Sequence, residues 1–446
     1  MKNKIKNISW VVDHNLCVGC GVCQDACPKS AIRVESDGSV FRPVVDYSLC
    51  INDKGCHRCR MVCPGEGVKL AQLSEKYFNN QDGIKDNPYI GKHIAHYSCY
   101  SNNFEIRHEG ASGGMTSQFL IYLLERGYIQ GAVVTRFCKD NDFWVDTFVA
   151  KSKEDILSAK SSKYCPVTMA GVVKQIKQMD GKYAIVGLPC HLHGLRKMAE
   201  IDKTFSSRVF AFVGLYCSCG RRYDLTRYVF ESRGIHLNDV HFFTYRHGAG
   251  MGKMYAKVMK NAEGKNGYQD CCSNSETHPN IEEQIYEDGY QNYYLSLRSF
   301  FNIHRCMHCI DHFAELGDIC FGDLHTGKYL DDKVGISSVV TRTKEMDNIL
   351  NDMANEKVIT LETVTEEDLL NSQKYVKIKK HSNPVYMRID HLLGWEVPKY
   401  DVTFHCVPMH QAIKSYLVKT SQMFIGKHKC FHWMIKLMSK DMKNWR

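Results

Sequence analysis

The sequence predicts an α+β ferredoxin-like domain at the N-terminus, followed by an α/β domain with a mixed or parallel sheet. Two observations carry this prediction. Two dense cysteine runs lie within the first 63 residues, and short apolar segments alternate with amphipathic segments further along the chain. Because a chain of 446 residues has room for roughly three domains, the cysteine-rich segment accounts for only part of it.

The first cysteine run has the spacing of a bacterial ferredoxin. It reads Cys17-Val-Gly-Cys20-Gly-Val-Cys23-Gln-Asp-Ala-Cys27-Pro28 and matches C-x2-C-x2-C-x3-C-P at every position. In that pattern three cysteines bind one cluster and the fourth reaches a second cluster, so each run requires a partner.

A second run supplies the partner, with five residues rather than two between its first two cysteines. It comprises Cys50, Cys56, Cys59 and Cys63, followed by Pro64. We expect two 4Fe-4S clusters with crossed fourth ligands. The predicted ligand sets are Cys17, Cys20, Cys23 and Cys63 for one cluster, and Cys50, Cys56, Cys59 and Cys27 for the other.

Zinc and disulfides are the alternatives for so many cysteines. Zinc ribbons also use C-x2-C pairs but separate them by a long spacer, whereas each run here is dense and closes with Cys-Pro. Disulfides are disfavoured because 21 cysteines along a chain without a recognisable signal peptide indicate a reducing compartment. We therefore expect a cytoplasmic protein.

Composition and net charge limit the kinds of binding partner that the sequence predicts. Hydrophobic residues make up 44% and charged residues 24%, as in ordinary globular proteins, and no apolar run reaches the ~18 residues of a membrane span. The net charge is +9, and residues 416–446 hold seven basic residues against one acidic, a net +6. Nucleic acid is disfavoured because basic residues form no aromatic-rich face outside this tail. The tail predicts either peripheral contact with a membrane or an acidic partner, or a terminal helix packed on its own domain.

The remaining elements follow from apolar patterning. The polar residues 74–88 are predicted to be a linker, after which residues 115–126 predict a helix and residues 130–135 a strand. Residues 183–190 and 210–217 are apolar runs that each end in Val-Gly-Leu-x-Cys. Such runs predict strands buried on both faces, whose carboxyl ends are where ligands gather in α/β sheets. Helices are expected over residues 191–198 and 224–230.

A third cysteine group is expected at these strand ends. Cys190 and Cys217 end the two strands, and a C-x2-C pair follows at Cys306 and Cys309. Four thiolates suffice for one more cluster, for which Cys219, Cys320 and Cys165 are possible substitutes. The other reading of an isolated cysteine is a small buried hydrophobe. We leave this reading open for Cys219 and Cys320 and adopt it for Cys99, Cys138, Cys271, Cys272, Cys406 and Cys430.

Several short motifs, taken together and in order, resemble one family. They are the ferredoxin run, Glu109-Gly110-Ala-Ser112-Gly113-Gly114, Ser162-Lys163-Tyr164, Val186-Gly-Leu-Pro-Cys190, Cys217, Cys306-Met-His-Cys309, and residues 314–323 and 335–343. Between residues 90 and 345 the chain resembles the beta subunit family of coenzyme F-420 hydrogenase/dehydrogenase, which includes 7-hydroxymethyl chlorophyll a reductase.

The resemblance implies a flavoprotein. FAD would bind without covalent attachment at the turn of Ser112, Gly113 and Gly114 and at the start of the following helix, where backbone N–H groups can face a pyrophosphate. A third 4Fe-4S cluster would be bound by Cys190, Cys217, Cys306 and Cys309.

Two other interpretations exist for the glycine turn. Gly110 to Gly114 fits the G-x-S-x-G nucleophile elbow of hydrolases, but an elbow follows a hydrophobic strand and Arg107-His-Glu is polar. A simple tight turn is the default for a short Gly-Ser motif. No G-x-G-x-x-G follows a predicted strand, so an ordinary Rossmann site is not supported.

These observations predict an iron-sulfur flavoprotein oxidoreductase. It would pass electrons between its clusters and FAD and act on an organic substrate or a deazaflavin-type coenzyme, with an external ferredoxin or a partner oxidoreductase as donor or acceptor. The alternative is a non-catalytic electron-transfer subunit or adaptor. The predicted regions are a ferredoxin-type domain (1–75), two parts of a flavin-binding beta-subunit-like region (76–175 and 176–345), and a helical region with a basic tail (346–446).

Overall fold

The computed structural model describes residues 6–248, 250–261, 281–297 and 299–438. The strands are β1 Ile32–Ser36, β2 Phe41–Val45, β3 Gly67–Val68, β4 Ala95–Ser101, β5 Gly131–Phe137, β6 Val145–Ala150, β7 Tyr183–Gly187, β8 Val209–Leu215, β9 Val240–His247, β10 Lys253–Asn261, β11 Ile281–Gly289, β12 Ile319–Asp323, β13 Ser337–Thr341, β14 Ile359–Thr363 and β15 Lys399–Tyr400.

The α-helices alternate with these strands. They are α1 Ser9–Asp13, α2 Val22–Ala26, α3 Arg58–Met61, α4 Leu70–Phe78, α5 Phe104–Glu109, α6 Met115–Glu125, α7 Lys153–Ser158, α8 Val172–Lys177, α9 Pro189–Ile201, α10 Lys203–Arg208, α11 Asp224–Glu231, α12 Lys344–Asn355, α13 Glu366–Ser372, α14 Tyr375–Lys377, α15 Asn383–Leu392, α16 Met409–Lys427 and α17 His432–Met438.

A mixed sheet of eight strands organises the larger part of the chain. Its order is β14-β4-β13-β12-β8-β7-β5-β6. The four central strands β12, β8, β7 and β5 pair in parallel, and the outer strands pair antiparallel. This confirms the predicted mixed sheet. A separate antiparallel sheet is formed by β9, β10 and β11.

The sheet is buried on both faces. Ala184 of β7 belongs to a core that includes Phe119 of α6 and Leu350 of α12. Its neighbour Ile185 belongs to a second core that includes Leu192 of α9 and Phe212 of β8. Because successive side chains of a strand point to opposite faces, helices must cover both faces. This explains the continuous apolar runs in the sequence.

The predicted elements around the sheet are confirmed with small shifts at their ends. The helix expected at 115–126 is α6, the strand expected at 130–135 is β5, and the two apolar runs are β7 and β8. Helix α9 begins earlier than expected, at Pro189, so Cys190 lies in the first turn of a helix rather than at a strand end. Proline suits this position because the first helical N–H has no intrahelical partner.

The cysteine-rich N-terminal segment packs against one face of the large sheet. It contains the antiparallel hairpin β1–β2 and the short helices α2 and α3. Asp25 accepts hydrogen bonds from the backbone N–H groups of Gly171 (3.1 Å) and Val173 (2.9 Å) at the start of α8. A Cβ added to Gly194 of α9 would lie 3.1 Å from Val22. The small residue allows α9 to approach the segment closely.

The expectation of a linker after the cysteine-rich segment needs correction. The predicted linker 74–88 begins inside helix α4, where Ser74 and Phe78 are buried, because Leu70, Leu73 and Phe78 give this polar-looking stretch an apolar face. The predicted limit at residue 75 therefore falls inside a helix.

The region 346–446, expected to be helical, also contributes strands. β14 pairs with β4 at the edge of the large sheet, and β15 pairs with β3 of the N-terminal segment. No helix in the described part of the chain is long and apolar enough to cross a membrane.

Candidate functional site

In the first cysteine group, Cys63 of the second run lies among the cysteines of the first run. Burial, followed by the nearby thiol of Cys63, raises the pKa of Cys17 to about 11. The pKa of Cys23 is raised well above its ordinary range by burial and then by the thiols of Cys20, Cys63 and Cys17. Cys59 of the other predicted ligand set also contributes to the raised pKa of Cys23. These effects show that Cys63 lies near the cysteines of the first run, as the crossed assignment predicts.

In the second cysteine group, Cys27 of the first run lies near Cys56 and Cys59 of the second run. Burial raises the pKa of Cys59 to about 11, with further contributions from Cys56 and Cys27. Cys50 adjoins this group through Asn7, whose Nδ2 donates to Cys50 Sγ at 3.7 Å, while the backbone of the next residue, Ile8, contacts the Cys59 thiol.

Backbone geometry around both groups favours negatively charged sulfur. Gly19 N donates to Cys17 Sγ at 3.4 Å, Ala31 N to Cys27 Sγ at 3.3 Å, and Gly65 N to Cys63 Sγ at 3.3 Å. Hydrogen bonds to cluster sulfurs are one of the means by which a protein sets cluster potentials. Densely gathered thiols with such donors fit metal binding better than apolar packing does, because uncompensated thiolates would repel one another.

A third group assembles where the sequence predicted it. Burial raises the pKa of Cys190, and the thiols of Cys217 and Cys309 raise it further. The pKa of Cys217 is raised to about 11, mainly by burial, with Cys309 and Cys219 close enough to contribute to the rise. Cys306 completes the group through a side-chain hydrogen bond with Cys219 and the proximity of Cys217 and Cys309. Residues separated by more than one hundred positions thus meet at one point.

Cys219 joins this group, which settles a reading that the sequence left open. Although burial would raise it, the pKa of Cys219 is lowered to about 6 by a hydrogen bond from Cys306 and by the charges of Arg221 and Lys379. Gly220 N donates to Cys306 Sγ at 3.3 Å. The group therefore holds five thiols, one more than a single 4Fe-4S cluster needs.

The other substitute ligands lie elsewhere. Cys320 is buried on β12 and donates to Ala314 O at 3.2 Å. Cys165 is buried, and the groups that shift its pKa are Tyr245 and Lys163 rather than any thiol of the third group.

Of the cysteines expected to be buried packing, Cys99 is buried and Cys138 is half-buried. Cys406 and Cys430 are exposed, so that expectation is wrong for these two, which follow the last segment of the sheet and flank helix α16. Cys271 and Cys272 lie outside the described residues.

Lys379 is a buried cation at the third group that the sequence did not mark. Its Nζ donates to Cys309 Sγ at 3.3 Å and to Asp311 O at 2.5 Å. Burial alone would lower the pKa of Lys379, but the thiols of Cys309 and Cys217 raise it above the ordinary range. The residue lies in a π-helical turn, Ile378–Ser382, an irregularity that is frequent at functional sites.

The first and third groups are neighbours. The thiol of Cys190 contributes to the raised pKa of Cys20, together with burial and Cys63. Buried Arg305, which precedes Cys306, donates from Nε to Gly65 O at 2.8 Å, next to the Cys63-Pro64 corner of the first group. The three groups therefore follow one another, with the first in the middle.

The glycine turn packs against strands β4 and β13 of the large sheet. Ser112 Oγ donates to Ile336 O at 2.6 Å, and Gly113 N donates to Ser337 Oγ at 2.9 Å. A Cβ on Gly113 would lie 2.6 Å from Cys99 O, so glycine is required for packing there. Gly114, with φ of 71°, precedes α6. The Ser112 hydroxyl and the Gly113 N–H are therefore used within the fold and not available to a ligand.

Tyrosines connect the glycine turn to the third cysteine group. Glu109, beside the turn, forms an ion pair with Lys160. A few residues on, the ring of Tyr164 lies 4.3 Å from that of Tyr294, and the Arg221 guanidinium lies 4.9 Å from the Tyr294 ring. Arg221 Nη1 donates to Cys219 O at 3.0 Å. In the sequence Tyr164 stands out only as part of the Ser162-Lys163-Tyr164 motif, and nothing local marks Tyr294.

Comparison with known proteins assigns the family. Residues 96–174 match the sequence model of the coenzyme F420 hydrogenase/dehydrogenase beta subunit N-terminal region, and residues 180–367 match that of its C-terminal region. Together these ranges cover more than half of the chain. The chain belongs to this family. Residues 10–33 also match a 4Fe-4S binding domain, which covers the first cysteine run and supports iron-sulfur clusters.

Curated proteins similar to this beta subunit family member include two that are named for coenzyme F420. It is 25% identical over 392 residues to the coenzyme F420-dependent sulfite reductase of Methanocaldococcus jannaschii, covering 83% of this chain and 51% of that protein. It is 24% identical over 309 residues to the coenzyme F420 hydrogenase subunit beta of Methanothermobacter thermautotrophicus, covering 66% and 95%. The chain thus spans about half the length of the sulfite reductase.

A solved structure shares the fold. The chain aligns with one from the F420-reducing [NiFe] hydrogenase complex of Methanosarcina barkeri, with a TM-score of 0.52 and 20% identity, covering 70% of this chain and 98% of that one. At this identity the likeness concerns the fold alone.

Proposed function

We propose that this chain is an iron-sulfur flavoprotein oxidoreductase. It would pass electrons between 4Fe-4S clusters and FAD, and reduce or oxidise an organic substrate or a deazaflavin-type coenzyme. The observation that carries the proposal is the succession of three cysteine groups, in which Cys190 of the third group adjoins Cys20 of the first.

The protein groups around the cysteines suit one-electron transfer. When bound, 4Fe-4S clusters each supply one electron at a potential set by nearby charge and hydrogen bonds. Lys379 donates to Cys309 Sγ, Arg305 lies between the third and first groups, and Lys197 Nζ donates to Cys63 O at 2.6 Å. Lys379 and Arg305 are buried and Lys197 is half-buried, and these cations would compensate the negative charge of thiolate-bound clusters. The proposed ligands are Cys17, Cys20, Cys23, Cys63, then Cys27, Cys50, Cys56, Cys59, then Cys190, Cys217, Cys306 and Cys309.

FAD is proposed at the N-terminus of α6, between the glycine turn and the tyrosines. FAD, when bound, supplies two-electron hydride chemistry that clusters cannot perform. Gly114 opens a helix of eleven residues, and the first N–H groups of a helix are free to face an anion. Glu109, beside the turn, pairs with Lys160, which lies four residues before Tyr164 in the sequence. Tyr164 contacts Tyr294, and Arg221 contacts both the Tyr294 ring and Cys219 O, so this site would lie near the third cluster.

The relatives suggest the partners. They are named as subunits or enzymes dependent on coenzyme F420, so a deazaflavin coenzyme is one proposed reactant. An external ferredoxin or a partner oxidoreductase is the proposed donor or acceptor of single electrons.

A non-catalytic electron-transfer subunit is the second candidate. It is favoured by the internal use of the Ser112 hydroxyl and the Gly113 N–H, which leaves fewer groups to hold a flavin. An absorption spectrum of anaerobically purified protein separates the two candidates. One FAD per chain supports the oxidoreductase, whereas cluster absorbance without flavin supports the subunit.

The third cluster is tested by the double variant Cys306→Ala/Cys309→Ala. It should lose about four irons per chain and keep the other two clusters, and electron transfer between flavin and the N-terminal clusters should fail. The control is Cys320→Ala, which removes a buried thiol outside the group. Full iron content and full electron transfer in the double variant would contradict the proposal.

A further inference from the structure

Two histidines and an aspartate converge beside the third cysteine group. His304 and His308 lie at the two ends of the short 3-10 helix His304–His308, and Asp390 lies on α15. One nitrogen of each imidazole and one carboxylate oxygen lie within 4.8 Å of one another. Asp390 and His308 are buried and His304 is half-buried.

Both imidazoles face the same oxygen, but only one can bond to it. His308 Nε2 lies 2.6 Å from Asp390 Oδ2, whereas His304 Nε2 lies 3.7 Å from that atom. The second distance is too long for a hydrogen bond, and His304 Nε2 is buried without any hydrogen-bond partner. Because a buried polar atom without a partner is costly and rare, this nitrogen indicates that a further group belongs between the three residues.

Neighbouring residues hold the side chains of Asp390 and His304 in place, as the residues around a metal site hold its ligands. The Tyr416 hydroxyl of α16 donates to Asp390 Oδ1, which leaves Oδ2 for the shared point. The ring of Trp395 lies 5.3 Å from that of His304 and limits its rotation. Outer hydrogen bonds to a ligating carboxylate are a regular feature of metal sites.

The thiols of the same segment face elsewhere. Cys306 Sγ accepts from Gly220 N, and Cys309 Sγ accepts from Lys379 Nζ. Buried Arg305, which lies between the two histidines in sequence, extends to Gly65 O and Pro64 O. The histidine nitrogens are therefore separate from the cysteine group, although the residues alternate along the chain.

We propose that His304, His308 and Asp390 bind one divalent transition-metal ion, with zinc the best match. Two imidazole nitrogens and one carboxylate oxygen form a common zinc donor set, completed by a water. The ion would join the C-x2-C segment to α15 and, through Tyr416, to α16. It lies outside the iron-sulfur ligands and does not depend on the proposed redox function.

The test counts zinc in protein whose clusters have been fully reconstituted. After removal of adventitious metal by a chelator, the protein is incubated with Zn²⁺ alone, and zinc and iron are measured in the same sample. The wild-type chain should retain one zinc that His304→Gln lacks, with equal iron in both. His304→Gln is chosen because His304 is half-buried and its Nε2 makes no hydrogen bond, so the fold should tolerate the change. The control is His410→Gln, an exposed histidine of α16.

Thermal unfolding provides a second readout. A ligand that binds only the folded state raises the unfolding midpoint, so Zn²⁺ should raise it in the wild type and in His410→Gln but not in His304→Gln. The proposal is overturned if the wild type retains no zinc, or if His304→Gln retains the same amount. In either case the cluster amounts only to the His308–Asp390 hydrogen bond, with His304 packed beside it.

Discussion

Individual residues decide how the third cysteine group behaves. Lys379 donates to Cys309 Sγ from a buried position, where its ammonium has little water to screen it. A positive charge at that distance stabilises the more negative, reduced state of a bound cluster. The residue lies beyond the 180–367 range matched by the family's C-terminal region.

Replacing Lys379 with Met should lower the midpoint potential of one cluster while all iron remains bound. A hydrogen bond from a charged group is worth about 1.5–3 kcal/mol, which corresponds to about 60–130 mV for one electron. A redox titration followed by electron paramagnetic resonance measures the shift. Lys377→Met, which removes an exposed lysine from the same segment, serves as control. An unchanged potential would show that Lys379 has only a structural role.

A second prediction at this scale concerns the crossed ligands. Cys27 belongs to the first run but adjoins Cys59 of the second. Cys27→Ala should therefore lower the iron content and alter the signal of the cluster formed by Cys50, Cys56 and Cys59. The signal of the other N-terminal cluster should persist.

Cys138→Ala, which removes a half-buried cysteine outside the groups, is the matched control for Cys27→Ala. An iron content that stays at about twelve per chain, the amount expected for three clusters, with both N-terminal signals intact, would refute the crossed assignment.

At the scale of elements, helices α8 and α9 dock the cysteine-rich segment on the sheet. The carboxylate of Asp25 accepts from two N–H groups at the start of α8, as an N-cap residue does, although it comes from a different segment. Cys190 lies in the first turn of α9, where the positive end of the helix dipole favours a thiolate. One pair of helices thus orients both the first and the third cysteine groups.

Asp25→Ala should destabilise this docking. Loss of a capping carboxylate costs about 0.5–2 kcal/mol, so the midpoint of urea unfolding should fall, and cleavage by protease near α8 should become faster. Asp53→Ala removes an exposed aspartate of the same segment and should have no such effect. Equal unfolding midpoints for the two variants would mean that Asp25 does not contribute to docking.

At the scale of the whole molecule, the C-terminal helices combine packing with an exposed apolar surface. α16 packs through buried Ala412 and Tyr416, as expected for a terminal helix on its own domain. Leu417 and Phe424 of the same helix, with Trp433 and Leu437 of α17, are exposed large hydrophobic side chains. Lys419 and Lys429 contact the fold, through Tyr386 and Glu231 respectively. Within the described residues, which end at 438, the tail can therefore both pack on its own domain and present an apolar and basic surface to a membrane or an acidic partner.

The double variant Phe424→Ser/Trp433→Ser should weaken binding to anionic vesicles. Amphipathic helices bind such surfaces through buried apolar side chains together with basic charge, and the effect should be largest at low salt. Co-sedimentation with phosphatidylserine-containing vesicles, compared with phosphatidylcholine alone, measures it. Leu330→Ser, another exposed leucine remote in sequence, is the control. If the double variant sediments as the wild type does, the tail's role is packing alone.

The sequence by itself determined the parts of this protein that depend on local spacing. The C-x2-C-x2-C-x3-C-P run implied crossed ligand sets, because the proline turns the fourth cysteine away from its own run. The spacing and number of apolar residues predicted α6, β5, β7 and β8, because the apolar pattern of each element reflects which of its faces are buried. Val-Gly-Leu-x-Cys repeated after two strands indicated the third cysteine group.

Only the tertiary structure decided which distant residues join these local features. Cys219 enters the third group, Lys379 reaches it from a π-helical turn, and Asp390 meets His304 and His308 across 82 or more positions. Nothing in the sequence near Lys379 or Asp390 marks them, because a single charged residue in a helix is ordinarily solvated. Such contacts depend on how helices pack on the sheet, and packing is a property of the whole chain rather than of any segment.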